Sequence, residues 1–231
     1  MSQWEIFWRE FAEREGYTMV LEGLGTTMLI AVTGLAIGLV VGSLLAICKL
    51  LPSKRLPARI LGGFSNVYVA LFRGTPMVVQ LLIVHFVIFP AMGLQIPALV
   101  EGMIAFGLNS GAYISEIMRG GIQSVDKGQM EAGRALGLGY GKSMWKIVLP
   151  QAVKNVVPTL GNEFIALVKE TSVVGFIAIM DVTRAFQAIA NSSFVYIVSY
   201  LMLALVYLVI VLIITVIVRI IEGRLRASDR R

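Results

Sequence analysis

The sequence predicts an all-α membrane protein of five spanning helices, with its N-terminus outside and its C-terminus inside. Three observations predict it. Of the 231 residues, 57% are hydrophobic and only 15% charged, with a mean hydropathy of +0.82. Soluble domains sit near half apolar and a quarter charged, so most of this surface is expected to face lipid. Five apolar stretches reach the ~20 residues that a spanning helix needs, at about 24–50, 67–92, 98–118, 156–180 and 195–221. Lysines and arginines gather on one side. Lys49, Lys54, Arg55 and Arg59 follow the first stretch. Arg119, Lys127, Arg134, Lys142, Lys146 and Lys154 follow the third, and Arg219, Arg224, Arg226, Arg230 and Arg231 follow the fifth. The opposite side has only Arg9, Arg14 and Arg184. The basic side is the inner side.

The elements follow in order. Residues 1–20 are expected to form a short helix on the outer interface. Trp4, Phe7, Trp8 and Phe11 recur at i, i+3, i+4, i+7 and make one aromatic face, with Glu5, Arg9, Glu10 and Glu13 elsewhere. No signal-peptide pattern precedes the first span, which is expected to direct insertion itself. That span carries Gly34, Gly38, Gly42 and Ala46 at four-residue spacing, and the third carries Gly107, Gly111 and Ser115. Such stripes let helix backbones approach closely. The second span is interrupted by Arg73, Gly74 and Pro76, and the fourth by Pro158 and Gly161. The whole chain, 1–231, reads as a single membrane domain. Its net charge of +6 is explained by topology, so no nucleic-acid partner is expected, and one cysteine, Cys48, excludes a disulfide framework.

The long inner loop, 127–150, carries the most informative stretch: Glu131-Ala-Gly-Arg-Ala-Leu-Gly137, nine residues, then Ile147-Val-Leu-Pro150. Residues 129–136 read as a short helix, Gly137, Gly139 and Gly141 break it, and a second helix starts near Lys142. Spanning the bilayer does not need such an element. The loop resembles that of ABC importer permeases, E-A-A-x3-G-x9-I-x-L-P. Glu131, Ala132, Gly137, Ile147, Leu149 and Pro150 match, and Gly133 stands where the family has Ala. Glycine costs a helix about 1 kcal/mol relative to alanine, so Gly133 is expected to weaken this one. Arg73-Gly-Thr-Pro76, Ala112-Tyr-Ile-Ser-Glu116, Arg119-Gly-Gly-Ile122, Asn162-Glu-Phe-Ile165 and Lys169-Glu-Thr-Ser172 resemble the polar amino acid uptake branch.

The resemblance implies the type I ABC importer permease fold and a non-catalytic subunit in a bacterial inner membrane. It implies a second permease subunit (identical or a close paralogue), two copies of an ATP-binding subunit and an extracytoplasmic binding protein. The loop helix would sit in a groove of the ATPase and transmit its closure. ATP and Mg would be held by that partner, with no cofactor in this chain. Gly137-Leu-Gly-Tyr-Gly-Lys-Ser143 imitates a phosphate-binding loop, but Leu136 occupies the position of the required first glycine.

Ionisable residues within a membrane usually face a cavity or a partner. In the fourth span Thr159, Asn162 and Glu163 share one helix face. Glu163 lies about 13–14 Å along the helix from Lys154, and Asn109 about 15 Å from Arg119, so both fall near mid-membrane. Asn109, Ser110, Thr159 and Glu163 are therefore the expected substrate residues. Glu163 would take a cationic group, as on arginine, lysine or histidine, or equally an α-ammonium. Lys169 and Glu170 read as structural, with Glu170 of a neighbouring copy or Glu116 as the expected partner of Lys169. Glu116 and Arg119 read as a local pair, and His85 as a packed or pore-lining residue without a metal set. The competing readings are a stand-alone channel or ion-coupled secondary transporter, which leaves the loop unexplained, and a membrane enzyme, for which no ligand motif exists.

Overall fold

The computed structural model describes residues 2–50 and 56–227, and the described residues are almost entirely helical. Lys54, Arg55, Arg230 and Arg231 of the topology argument lie outside them. Helix α1 (Gln3–Trp8) begins with a capping box, in which Ser2 Oγ accepts from the Glu5 N–H and Glu5 returns a carboxylate oxygen to Ser2 N–H. A π-helical turn, Arg9–Glu13, continues it. The aromatic face does not simply lie on a surface. Phe7 is fully buried against Val182, Phe186 and Ile189, whereas Trp4 and Trp8 stay exposed, because the bundle roofs one side of that face. Glu10 is buried too, and it accepts from Arg14 Nη1 at 2.7 Å.

Helix α2 (Gly16–Leu50) starts eight residues before the expected span. It packs along α5 (Ala98–Gln123), and the two glycine stripes meet. A Cβ on Gly38 would lie 2.8 Å from Ser110 Oγ, one on Gly42 2.8 Å from the Gly111 carbonyl, and one on Gly107 2.5 Å from Ile37 Cβ. Without side chains at these points, the two backbones close to a distance that larger residues would block.

The expected second span is two helices, α3 (Leu56–Gly74) and α4 (Met77–Ala91), bent by 108° at the break. Gly74, Thr75 and Pro76 end one helix and start the next. Pro76, at φ −64° and ψ 141°, has no N–H to lose. The carbonyls freed by the break must find donors. Gln80 supplies them: its Nε2 donates to Phe72 O at 2.7 Å, Thr75 O at 2.9 Å and Thr75 Oγ1 at 2.9 Å.

The inner loop forms α6 (Lys127–Ala135) and α7 (Tyr140–Ser143), a π turn (Met144–Val148), and then α8 (Leu149–Glu170). Helix α8 is not interrupted at Pro158 or Gly161, contrary to the sequence reading. Pro158 sits inside it, and Gly161 is a contact point, where a Cβ would lie 2.4 Å from Val218 Cγ1. The irregular segment comes later, as a 3-10 helix, Thr171–Ile177. Asp181 then caps α9 (Val182–Ser193), accepting from the N–H groups of Thr183 and Arg184. Helix α10 (Tyr196–Ala227) closes the bundle.

Among the described residues two helices are long and apolar enough to cross a membrane, α2 and α10, or three if the bent pair is one span. The best window of α10 has a mean hydropathy of 3.3 and is 11% buried, a surface stable against hydrocarbon rather than water. Helix α5 reads as more polar because it is an interior helix, whereas most of α8 is half-buried or exposed. Glu101, Asn109, Ser110 and Ser115 of α5 are all buried among neighbouring helices.

Candidate functional site

Two regions carry the expected functional residues, one at mid-bundle and one on the loop between α5 and α8. At mid-bundle Ser110 Oγ donates to Glu163 Oε1 at 3.0 Å, across 53 residues of sequence. This joins α5 to α8 at the level the rise per residue predicts. Glu163 also feels the charges of Glu170 and of Arg73 at the α3–α4 break. Arg73 itself lies over the Tyr113 ring, 5.3 Å from its centroid. One cation from α3 and two carboxylates from α8 thus act on one another at this level of the bundle, with Ser110 and Tyr113 of α5 beside them.

The other two expected residues part company. Asn109, 3% exposed, donates Nδ2 to Gln80 Oε1 at 2.8 Å. It therefore steadies the side chain that caps the α3–α4 break. Thr159, one turn from Glu163, is exposed and lines a cavity of about 620 Å³ with Pro158, Asn155, Lys154, Glu116 and Glu222. Pockets of about 300–1,000 Å³ suit small molecules. This one opens toward the end of the bundle that carries the loop.

Glu116 is taken at both oxygens, by Lys49 Nζ at 2.5 Å and Arg119 Nη2 at 2.6 Å. The local pair with Arg119 is present, and Lys49 rather than Lys169 is its second partner. His85 Nδ1 meets the carboxylate of Glu101, which is buried at the start of α5. Glu101 and Gln80 both escaped the sequence reading. The available signal was the rule that an ionisable or amide side chain inside a span demands a partner. Among the described residues no group of three or more metal-ligating side chains occurs.

On the loop, Asp126 caps α6 by accepting from Gly128 N–H at 2.6 Å. A complete Schellman motif ends it. Leu138 N–H donates to Gly133 O, Gly137 N–H donates to Arg134 O, and Gly137 takes φ +82°, the left-handed conformation that glycine adopts at no steric cost. Gly133 is buried where α6 crosses α7 and the π turn. A Cβ there would lie 2.7 Å from Ile147 Cδ1, 2.9 Å from Ser143 Oγ and 3.2 Å from Ser143 Cβ. Glu131, Ala132 and Pro150 are exposed, Ile147 is half-buried against α6, and Leu149 is half-buried. Around them Leu136 is 82% exposed and Trp145 73%, two large apolar side chains that a soluble loop would ordinarily cover.

The family of binding-protein-dependent transport system inner membrane components matches residues 38–227. The arginine transport system permease protein ArtQ of Bacillus subtilis (strain 168) is 43% identical over 210 residues, covering 91% of this chain and 94% of that protein. A Rickettsia prowazekii (strain Madrid E) relative whose name places it in glutamine transport is 39% identical, covering 89% and 92%. A crystal structure of an amino acid ABC transporter with histidines superposes with a TM-score of 0.84 at 34% identity, over 93% of this chain and 97% of that one. The fold is the type I ABC importer permease fold. With a family match across both functional regions and relatives of nearly equal length, the chain belongs to the binding-protein-dependent transport system inner membrane components, as a non-catalytic, multi-pass permease subunit of an amino-acid ABC importer.

Proposed function

We propose that this permease forms the path for a polar, preferentially basic L-amino acid, and that residues 131–150 couple the path to a separate ATPase. The Ser110–Glu163 bond carries the substrate reading. It holds a carboxylate at mid-bundle, where Glu163 can pair with a guanidinium, ammonium or imidazolium group. Thr159 hydrogen-bonds the rest of the substrate, Ser110 holds the Glu163 carboxylate in place, and Asn109 acts behind them through Gln80. The relative named for arginine transport supports this reading. The one named for glutamine supports a second, in which Glu163 takes the α-ammonium that every amino acid carries.

In the proposed assembly two permease subunits, identical or paralogous, carry two ATP-binding subunits on the basic side, with ATP and Mg held there. An extracytoplasmic binding protein delivers substrate to the other side. The N-terminus lies outside and the C-terminus inside. ATP-driven closure of the ATPase moves α6, and through Gly133 and Ile147 moves α8, which bears Thr159 and Glu163. The bundle then opens outward, and hydrolysis resets it. The test is uptake of an amino acid panel by proteoliposomes containing the assembled transporter. Glu163→Gln is expected to depress arginine and lysine uptake at least tenfold more than glutamine uptake. Equal losses for all support the α-ammonium reading, and unchanged kinetics overturn both.

A further inference from the structure

At the loop end of the bundle a second cavity, of about 590 Å³, lies between α2, α3 and α5. Its walls carry Lys49, Arg59 and Arg119, with Glu116 as the single carboxylate. Lys49 and Arg119 both bond Glu116, and Arg119 Nη1 also donates to Gln123. One carboxylate against three cations leaves two positive charges over. Among the described residues Arg59 has neither an ion pair nor a side-chain hydrogen bond. A guanidinium free to offer its planar fork to an oxyanion is an arrangement suited to phosphate.

The space is built into the sequence. Gly62 and Gly63 leave the α3 wall bare: a Cβ on Gly63 would meet nothing within 4 Å, and one on Gly62 only the Cys48 carbonyl at 3.7 Å. Asn66, one turn on, adds an amide. Next to this polar wall α3 exposes Leu56, Ile60, Phe64, Val67 and Leu71, spaced as one helix face. A phosphate site whose rim continues as an apolar stripe matches a molecule with a charged head and hydrocarbon tails. It does not match a free anion alone. The inner leaflet is rich in such anionic lipids, and basic pockets between spanning helices on that side bind their headgroups.

We propose that this cavity binds the phosphodiester headgroup of an anionic phospholipid, with Arg59 as its principal contact and the α3 stripe against its acyl chains. Assigning it to the inner leaflet rests on the proposed topology; the phosphate chemistry does not. The test is native mass spectrometry and thermal unfolding of the assembled transporter in detergent. The probes are dioleoylphosphatidylglycerol, dioleoylphosphatidylcholine and inorganic phosphate. Phosphatidylglycerol is expected to remain bound and raise the unfolding temperature, while phosphatidylcholine does neither. Arg59→Gln should cut retained phosphatidylglycerol at least fivefold, with the lipid-free unfolding temperature unchanged because Arg59 is exposed. Arg59→Lys should keep part of it. Arg219→Gln, exposed on α10, should bind like the wild type. Equal protection by inorganic phosphate, lost in Arg59→Gln, would assign the site to free phosphate. Retention by Arg59→Gln at the wild-type level, or equal binding of phosphatidylcholine, overturns the proposal.

Discussion

Replacing Gly133 by alanine restores the residue that the loop pattern ordinarily has, and two effects oppose each other. In an isolated helix the change stabilises by about 1 kcal/mol, and by less here because Gly133 is the third-last residue of α6. Against that, the new methyl would lie 2.7 Å from Ile147 Cδ1 and 3.2 Å from Ser143 Cβ. The isoleucine tip can rotate away. Ser143 Cβ, fixed to a helical backbone, cannot. Overpacking of this kind costs about 1–3 kcal/mol. The net expectation is a loss of about 1–2 kcal/mol, confined to the α6–α7 contact. Hydrogen exchange should show residues 127–148 opening more often while the bundle stays protected, and substrate-stimulated ATP hydrolysis should fall severalfold. Ser143→Gly in the same chain removes the fixed atom and should restore much of both. Ser143→Ala alone should be neutral or slightly stabilising, because its buried Oγ has no hydrogen-bond partner to lose. A Gly133→Ala protein that protects its loop better than the wild type, with coupling intact, would refute the packing argument and leave helix propensity in charge.

Other consequences can be measured alongside. Gly107→Val places a branched side chain where even a Cβ meets Ile37 at 2.5 Å, so it should destabilise the α2–α5 pair by about 3 kcal/mol, seen as a lower unfolding temperature; wild-type stability would contradict the close approach. Gln80→Leu strips donors from Phe72 and Thr75 and the acceptor from Asn109, at about 1–3 kcal/mol for each group left buried and unpaired. It should loosen the α3–α4 break, and an unchanged unfolding temperature would show that the amide is dispensable. Gly137→Val forces a branched residue to φ +82°, at about 1–2 kcal/mol, and should reduce co-purification of the ATPase. A full yield of complex would show that the Schellman cap is unnecessary.

Much of this could be read in the sequence because it depends on local spacing. The glycine stripes at Gly34, Gly38, Gly42, Gly107 and Gly111 needed only a helical repeat to predict close packing, and they face each other. The levels of Ser110 and Glu163 followed from rise per residue, and they bond. What escaped depends on groups that meet only after folding. Gly74, Thr75 and Pro76 marked a break, but its 108° bend is held by Gln80, and Gln80 by Asn109 across 29 residues. Asn109 therefore looked like a free amide at mid-membrane. Phe7 shared a face with Trp4 and Trp8, and only the position of α9 decides which of the three is covered. Gly133 looked like a defect in a helix because the side chains that need its space belong to the next one.

Coupling between this chain and an ATPase is tested most directly by substrate-stimulated ATP hydrolysis of the assembled transporter in proteoliposomes, comparing the wild type with Leu136→Asp. Leu136 is 82% exposed beside the α6 cap, so the change should leave the fold untouched. If the loop is the coupling surface, stimulated hydrolysis and amino acid uptake should fall together by at least tenfold. Wild-type hydrolysis and uptake in Leu136→Asp would contradict the account.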